Sequence, residues 1–243
     1  MDPEVYAATA GLAAALRNQD IIARNLANVN TSGFRRRVPV DDPFEAQLSE
    51  AQAASPVPGE EVVDFSRGPI ARTENPLDLA LNCDGFFALA GPSGNVYTRK
   101  GSFSLNADGA IVDSVGRSLL SSGGDVLRVP GGTREIRVDP SGEVLADGSS
   151  VGKVWVVNVA EPRLLVPAAY TAFSLPESAA APETAQDAAV EQGALEGSNT
   201  NAIEELVSMI ANLRSFEASQ RVLRSIDESL KQTAAAASAT AGA

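Results

Sequence analysis

The sequence predicts a mainly β protein in which a hairpin-rich central domain, barrel-like or sandwich-like, is flanked by one long α-helix at each end. Between residues 68 and 196, short apolar runs are separated by turn dipeptides such as Asp84-Gly85 and Asp108-Gly109, a pattern typical of β-hairpins. At both ends of the chain the apolar residues recur at spacings of three and four, which is the helical period. The chain of 243 residues, 44% of them hydrophobic, is long enough to build a core.

Charge and composition exclude several classes of function. The formal net charge of -12 argues against nucleic acid as a partner, because nucleic-acid binding requires a basic surface. The chain has no histidine and a single cysteine, Cys83, so it lacks the commonest general base, a disulfide and a zinc ligand set. We therefore expect no cofactor, no metal site, no small-molecule substrate and no enzymatic activity.

The sequence shows neither a membrane span nor a signal peptide. Its apolar runs are shorter than the roughly 18 residues that a transmembrane helix needs. The N-terminus, "MDPEVY", is acidic, whereas a secretory signal peptide begins with positive charge. If the protein leaves the cytoplasm, we expect it to do so without a cleaved signal peptide.

Residues 1–34 are predicted to form the N-terminal helix and the turn that follows it. Asp2 is a suitable capping residue and Pro3 suits the first helical position. The helix is expected to end near residues 28–30, because asparagine and serine compete for backbone hydrogen bonds and Gly33 allows a positive φ. The apolar stripe of this helix contains Leu12, Leu16, Ile22 and Leu26, and Phe34 follows it. The helix-end joint contains Asn25, Asn28, Asn30 and Gly33.

Residues 35–67 are predicted to be a linker with one short helix around 44–54. The segment is rich in Pro, Ser, Ala, Glu and Gln and has no sustained periodicity. Arg35, Arg36 and Arg37 at its start are interpreted as partners of the preceding helix C-terminus or of acidic neighbours. The β-rich domain follows at 68–196.

Residues 197–232 are predicted to form the C-terminal helix, and 233–243 a flexible Ala-rich tail. Asn201, with Glu204 three residues later, makes a capping box at the start of this helix. Its apolar stripe contains Ile203, Leu206, Ile210, Leu213, Phe216, Leu223, Ile226 and Leu230. This stripe, the N-terminal stripe and Phe34 together form the predicted assembly seam. The helices could pair within one molecule, pair between molecules or pack on the β domain, and the residues alone leave these alternatives open.

Four acidic residues of the β-rich domain could suggest catalysis or calcium binding. They are Asp108, Asp113, Asp139 and Glu143. The local sequences "NADG" and "DPSGE" are typical of hairpin turns, and the ligand spacing of an EF-hand is missing. The pattern does not place two carboxylates at a catalytic separation. We interpret these residues as parts of turns.

Three parts of the chain resemble the bacterial flagellar rod and hook family. They are "IARNLANVNTSGF" near the N-terminus, "NPLDLALNCDGFFAL" and "YTRKGSFSLNADGAIVDSVG" in the middle, and "QGALEGSNTNAIEELVSMIANLRSFEASQRVLRSID" near the C-terminus. They lie in the family's order and cover both ends and the middle. Cys83 departs from the family pattern, which usually has Asn-Gly before "DGFF", and its Cβ disfavours a positive φ there.

The resemblance implies a structural axial subunit of the flagellar basal-body rod. In such a protein the terminal helices pair as a coiled-coil inner layer around a narrow export channel, the β domain forms an outer layer, and the helix-end joint connects them. The implied partners are further copies of the chain, other flagellar rod proteins and the flagellar type III export apparatus. The implied location is the rod within the periplasm. The opening "MDPEVY" and the short chain favour the proximal rod, with the distal rod as the alternative.

Two interpretations from other classes are also open. In the first, the β domain is a binding module for carbohydrate or peptide, and the terminal helices only dimerise it. Aromatic residues clustered on one sheet face would favour that interpretation, whereas an aromatic content of 5% argues against it. In the second, the protein is an enzyme that uses carboxylates alone.

Overall fold

A computed structural model describes residues 3–40, 61–92, 94–176, 178–185 and 188–241. The described chain is mainly β with two long helices, as the sequence predicts. In chain order the elements are α1 (Pro3–Ala27), β1 (Arg37–Pro39), β2 (Glu61–Val63), β3 (Ile70–Arg72), β4 (Leu79–Leu81), β5 (Phe86–Gly91), β6 (Gly94–Thr98), β7 (Ser104–Leu105), β8 (Ile111–Val112), β9 (Ile136–Val138), β10 (Glu143–Ala146), β11 (Ser149–Lys153), β12 (Val156–Asn158), β13 (Val166–Pro167), β14 (Ala172–Ser174), β15 (Glu183–Thr184), β16 (Val190–Gln192), β17 (Ala194–Glu196) and α2 (Ala202–Ala241).

The chain divides into two compact units. The helical unit takes the described residues within 1–27, 37–62 and 201–243. The β unit takes those within 28–36 and 63–200. Each unit therefore contains chain from both halves of the sequence, and neither coincides with one continuous predicted segment.

In the helical unit, α1 and α2 contact each other. Asn212 on α2 donates from Nδ2 to the carbonyl of Ala15 at 2.8 Å and to Gln19 Oε1 at 2.9 Å. Ala15, Ile21 and Ile22 are buried on α1. Because most of the stability of a helix in a protein comes from tertiary packing, this contact stabilises both helices. Neither helix has, in the described chain, an apolar stretch long enough to cross a membrane.

The predicted cap of α2 is present, and the helix runs further than expected. Asn201 Oδ1 accepts from the Ile203 amide at 3.0 Å, and Asn201 Nδ2 donates to Glu204 Oε1 at 3.1 Å. These contacts satisfy one free amide of the first turn and order the acidic residue beside the helix N-terminus. The helix continues to Ala241, through the segment predicted as a tail, because alanine has the highest helix propensity of all residues.

The predicted linker is partly structured. The strand β1 pairs with β2 across it, and Arg35 and Arg36 at its start belong to the β unit. Residues 41–60, which include the short helix predicted around 44–54, lie outside the described residues.

The centre of the β unit is a six-stranded antiparallel sheet in the order β13-β14-β6-β5-β12-β15. Smaller sheets surround it, in the orders β11-β10-β9, β16-β4, β17-β3 and β7-β8. Side chains of β5 alternate between two apolar clusters. Phe87 and Leu89 lie in one cluster, and Phe86 and Ala88 lie in the other. The period of two along the strand therefore buries both faces of the central sheet.

The described strands do not close into a barrel, so that part of the predicted fold is wrong. One edge of the central sheet is β13, which contains Pro167. Proline has no amide hydrogen and cannot donate to a further strand. Several strands also pair over long sequence separations, as β3 does with β17 and β4 with β16. This pairing divides the β unit into several small sheets.

We predict that the buried apolar clusters, of which the one containing Phe87 and Leu89 is the first, supply most of the β unit's stability. Leu119 is fully buried in the first cluster, and Leu119→Ala should lower the free energy of unfolding by about 2 to 5 kcal/mol, because it leaves a cavity. Leu105→Ala is the matched control. Leu105 is 41% exposed, and its truncation should cost less than about 1 kcal/mol. Urea unfolding of the two variants measures the difference, and equal losses would contradict this placement of the core.

Candidate functional site

The chain enters and leaves the β unit through two connecting segments. The incoming segment, 28–36, follows α1, and the outgoing segment, 194–200, precedes α2. After α1 the chain turns where the Thr31 amide donates to the carbonyl of Asn28 at 3.0 Å, and the hydroxyl of Thr31 lies 3.2 Å from Asn28 Oδ1. This local pairing competes with the helical pattern, so the predicted helix end is confirmed within a few residues.

Gly33 is the point of closest backbone approach in the incoming segment. Its φ is +68°, the left-handed conformation expected from the sequence. Its amide donates to the carbonyl of Glu196 at 2.8 Å. A Cβ at this position would lie 2.3 Å from the Lys100 backbone nitrogen. Glycine is therefore required here both by conformation and by space.

A buried ion-pair cluster joins the two segments. Glu196 Oε1 accepts from Arg35 Nη2 at 2.7 Å and from the Gly68 amide at 2.9 Å, and Oε2 lies 3.2 Å from Arg99 Nη1. The side chains of Arg35 and Glu196 are each 1% exposed, and that of Arg99 is 4% exposed. We call Arg35, Glu196 and Arg99 the Glu196 cluster. It confirms the interpretation of Arg35 as a partner of an acidic neighbour.

Arg99 connects the cluster to the sheet. Its Nη2 donates to the carbonyl of Cys83 at 2.9 Å, and its guanidinium carbon lies 5.5 Å from the centre of the Phe86 ring. Burial lowers the pKa of Arg99, and the carboxylate of Glu196 opposes that shift. Arginine remains charged in proteins, so the cluster holds two cations and one anion in a buried place.

A second contact ties the outgoing segment to its neighbours. Asn199 Oδ1 accepts from the Arg36 amide at 2.7 Å. Its Nδ2 donates to the carbonyls of Asp64 and Ser66 at 2.9 and 3.1 Å. One amide side chain thus bonds to backbone groups of two other segments.

The helical unit has its own buried polar contact, centred on Asn25. Asn25 Oδ1 accepts from the Arg37 amide at 2.9 Å, and Nδ2 donates to the Arg37 carbonyl at 2.8 Å. Nδ2 also lies 3.3 Å from Glu205 Oε1 on α2. Glu61 forms ion pairs with Arg24 and Arg37 nearby. Asn25, predicted only as a helix-end residue, therefore links α1, β1 and α2.

The predicted assembly seam divides into three groups by exposure. Ile22 and Phe34 are buried. The half-buried residues are Leu12, Leu26, Phe216, Leu223 and Ile226. The exposed residues are Leu16, Ile203, Leu206, Ile210 and Leu213. The side chain of Leu230 lies outside those described. Of the helix-end joint, Asn28 is half-buried and Asn30 is exposed.

The exposed group on α2 forms a continuous apolar strip. It contains Ile203, Leu206, Val207, Ile210 and Leu213, with exposures from 46% to 73%. Spacings of three and four place these residues on one side of the helix. The side of α2 that contacts α1 is different and includes the polar Asn212. The helical unit therefore presents an apolar surface that its own contacts do not bury.

Of the four candidate carboxylates, Asp113 and Asp139 accept hydrogen bonds within turns. Asp113 Oδ1 accepts from the amides of Val115 and Arg117, each at 2.9 Å. Asp139 accepts from the hydroxyl of Ser141, and this hydrogen bond is the main cause of its lowered pKa. In the described residues no group of His, Cys, Asp or Glu could hold a metal ion. Cys83 also avoids the positive φ that the family pattern suggested.

Sequence reasoning missed Glu196, Arg99 and Glu205, all of which are buried. The signal for Glu196 was present but weak. Ala194 and Glu196 are two residues apart on β17, and residues at that spacing share one face of a strand. A charged residue on a strand face that is otherwise buried indicates a buried partner. The sequence alone does not identify that partner.

Comparison with known proteins matches three family models in chain order. Residues 5–35 match the flagella basal body rod protein, 80–146 match the D1 domain of flagellar hook protein FlgE/F/G, and 191–236 match the C-terminal part of flagellar basal body rod FlgEFG protein. These matches include nearly all of α1, strands β5 and β6 of the central sheet, and α2 as far as residue 236.

Curated relatives match over nearly the whole chain. The flagellar basal-body rod protein FlgF of Salmonella typhimurium is 31% identical over 246 residues, covering 94% of this chain and 95% of the relative. FlgF of Caulobacter vibrioides is 29% identical, covering 92% and 93%. The flagellar basal-body rod protein FlgG of Buchnera aphidicola subsp. Acyrthosiphon pisum is 28% identical, covering 96% and 98%.

A β unit between two terminal helices, with these matches, defines the class of flagellar rod and hook proteins. The curated relatives that match nearly the whole of this chain are named as rod proteins. The chain belongs to the flagellar basal-body rod protein family and is a structural subunit of the basal-body rod.

We predict that Gly33 cannot be replaced without loss of stability. Gly33→Ala should destabilise the β unit by more than about 2 kcal/mol, because it adds backbone strain and a clash with Lys100. Gly116 is the matched control, since its φ is +88° but a Cβ there meets no atom within 4 Å. Gly116→Ala should cost about 1 kcal/mol from strain alone. Thermal unfolding of both variants tests this, and a Gly33→Ala loss no larger than the control would refute the close approach.

Proposed function

We propose that the chain is one of many copies that assemble helically in the proximal rod, through their terminal helices, around the export channel. The helices would form a coiled-coil inner layer, and the β unit would face outward. Torque would pass between copies through their packed helices. The observation that carries this proposal is the apolar strip of α2, which is exposed in the single chain.

The strip has the chemistry of a protein–protein contact. Five apolar side chains on one side of a helix form a surface that water solvates poorly, and burying it releases about 25 cal/mol for each Å² of apolar area. Beyond Leu213 the same side of the helix carries Arg214, Glu217 and Arg221. The contact surface is therefore confined to the N-terminal half of α2. The occupant that fits is a helix of a neighbouring rod subunit, because the family builds the rod from related chains.

The proposal also includes the export route of the protein and its location in the cell. We propose that the flagellar type III apparatus exports the chain and that it lies in the rod within the periplasm. This proposal rests on membership of the flagellar basal-body rod family. The mass of the protein from purified basal bodies should then include the N-terminus, "MDPEVY", and a product cleaved after a signal sequence would contradict the route.

The position along the rod has two candidates. We propose the proximal rod, and the distal rod is the alternative. The FlgF and FlgG relatives match this chain with similar identity and coverage. These matches are therefore compatible with either position along the rod. A binding module dimerised by its helices is the candidate from another class, and the apolar strip could serve as its dimer contact. A pure dimer in solution without rod incorporation would favour that candidate.

We predict that Leu213→Asp separates assembly from folding. Leu213 is 46% exposed in the single chain, so the change should alter the free energy of unfolding by less than about 1 kcal/mol. In the rod the carboxylate would be buried and unpaired, which costs several kcal/mol. The variant should therefore fold normally but be absent from basal bodies and leave cells without filaments.

Ser215→Asp is the control, because it adds the same charge to the same helix. Ser215 is exposed and lies about 200° around the helix from Leu213. This variant should assemble and support swimming. The two measurements are the melting curve by circular dichroism and the amount of protein in purified basal bodies. Normal incorporation of Leu213→Asp, or equal failure of Ser215→Asp, would refute the strip as the assembly contact.

A further inference from the structure

The two connecting segments lie outside the apolar core of the β unit. The buried residues of the two clusters include none from 28–36 and none from 194–200. Phe34 is buried but belongs to neither cluster. The segments are therefore held mainly by polar contacts, whose net contribution is smaller than that of buried apolar area.

These polar contacts form one connected set. The Gly33 amide donates to the Glu196 carbonyl at 2.8 Å, and the Gly197 amide donates to the Pro69 carbonyl at 2.8 Å. Asn199 accepts from the Arg36 amide, and Glu196 accepts from the Gly68 amide. Each contact joins one connecting segment either to the other or to the chain around Gly68.

The Glu196 cluster makes partial opening unfavourable. If Arg35 left Glu196 while the rest stayed closed, a buried cation and a buried anion would both lose their partner, which costs far more than one hydrogen bond. Water must reach both groups for them to separate, so the segments have to move together. Arg35 Nε and Nη1 and Arg99 Nε have no hydrogen-bond partner within the described chain. These incompletely satisfied donors weaken the closed state relative to a fully paired cluster.

We infer that the incoming and outgoing segments form a latch that opens and closes as one cooperative unit, with the apolar clusters remaining folded. The latch sets the chain's path before and after the β unit at the same time. This inference concerns the single chain and does not depend on assembly in the rod.

Hydrogen exchange of the full chain in solution tests the latch. Four amides report on it: those of Gly33, Arg36, Gly68 and Gly197. Two amides report on the core, those of Ala88 and Leu120, which bond to the carbonyls of Trp155 and Ala88. The four latch amides should share one opening equilibrium, with protection at least about tenfold lower than that of the core amides.

Two substitutions, one in each segment of the latch, test its cooperativity. In Asn199→Ala only the Arg36 amide loses its acceptor, yet exchange at Gly33, Gly68 and Gly197 should rise by the same factor as at Arg36. In Arg35→Met none of the four amides loses an acceptor, and all four should again rise together. Both variants should retain the folded core, because opening the latch does not disrupt the apolar clusters.

Asp113→Asn is the control for a partly buried ion pair elsewhere in the β unit. The Asp113–Arg117 pair lies within one turn, and its loss should raise exchange at Val115 and Arg117 without changing the four latch amides. The inference is overturned if Asn199→Ala affects Arg36 alone, or if the latch and core amides share one protection in the unchanged protein. Unfolding of the core in either latch variant would overturn it as well.

Discussion

A carboxylate that is only 1% exposed must be neutralised where it lies, and in this protein that constraint falls on Glu196. Desolvating an unpaired charge costs more than the whole stability margin of many domains. Arg35 reaches Glu196 from the incoming segment and Arg99 reaches it from beside the central sheet. The ion pairs of Glu196 therefore fix where the chain enters the β unit and where it leaves.

The two units differ in how completely they bury their apolar side chains. The β unit buries its own apolar clusters on both faces of the central sheet, so its stability does not require a partner. The helical unit uses polar contacts such as Asn212 to Gln19 and leaves an apolar strip on α2 exposed. The exposed strip is therefore separate from the side of α2 that packs on α1.

Sequence reasoning succeeded where the signal is local. The cap at Asn201, the end of α1 before residue 28 and the positive φ of Gly33 all follow from side chains within a few positions. Glycines at predicted turns, such as Gly85 and Gly109, also have positive φ. These features depend on backbone sterics and near-neighbour hydrogen bonds, which the order of residues determines directly.

Features that depend on contacts between residues far apart in the sequence were not predicted. Arg35 and Glu196 are 161 positions apart, so neither predicts the other's burial. The pairing of β3 with β17 also joins residues far apart in the sequence, and it produces separate small sheets where a barrel was one expectation. The apolar residues of α2 were predicted as one seam, but periodicity cannot separate the side that meets α1 from the side that stays exposed. That separation depends on the partner helix.

The β unit includes both connecting segments, and the ion pair between them adds to its stability. The most direct measurement compares the thermal unfolding of a 28–200 fragment with that of the same fragment carrying Arg35→Met. The expected result is that the first unfolds cooperatively and that the second melts at least about 5 °C lower, because Glu196 loses its Arg35 partner. Equal melting temperatures, or a 28–200 fragment that does not fold, would contradict it.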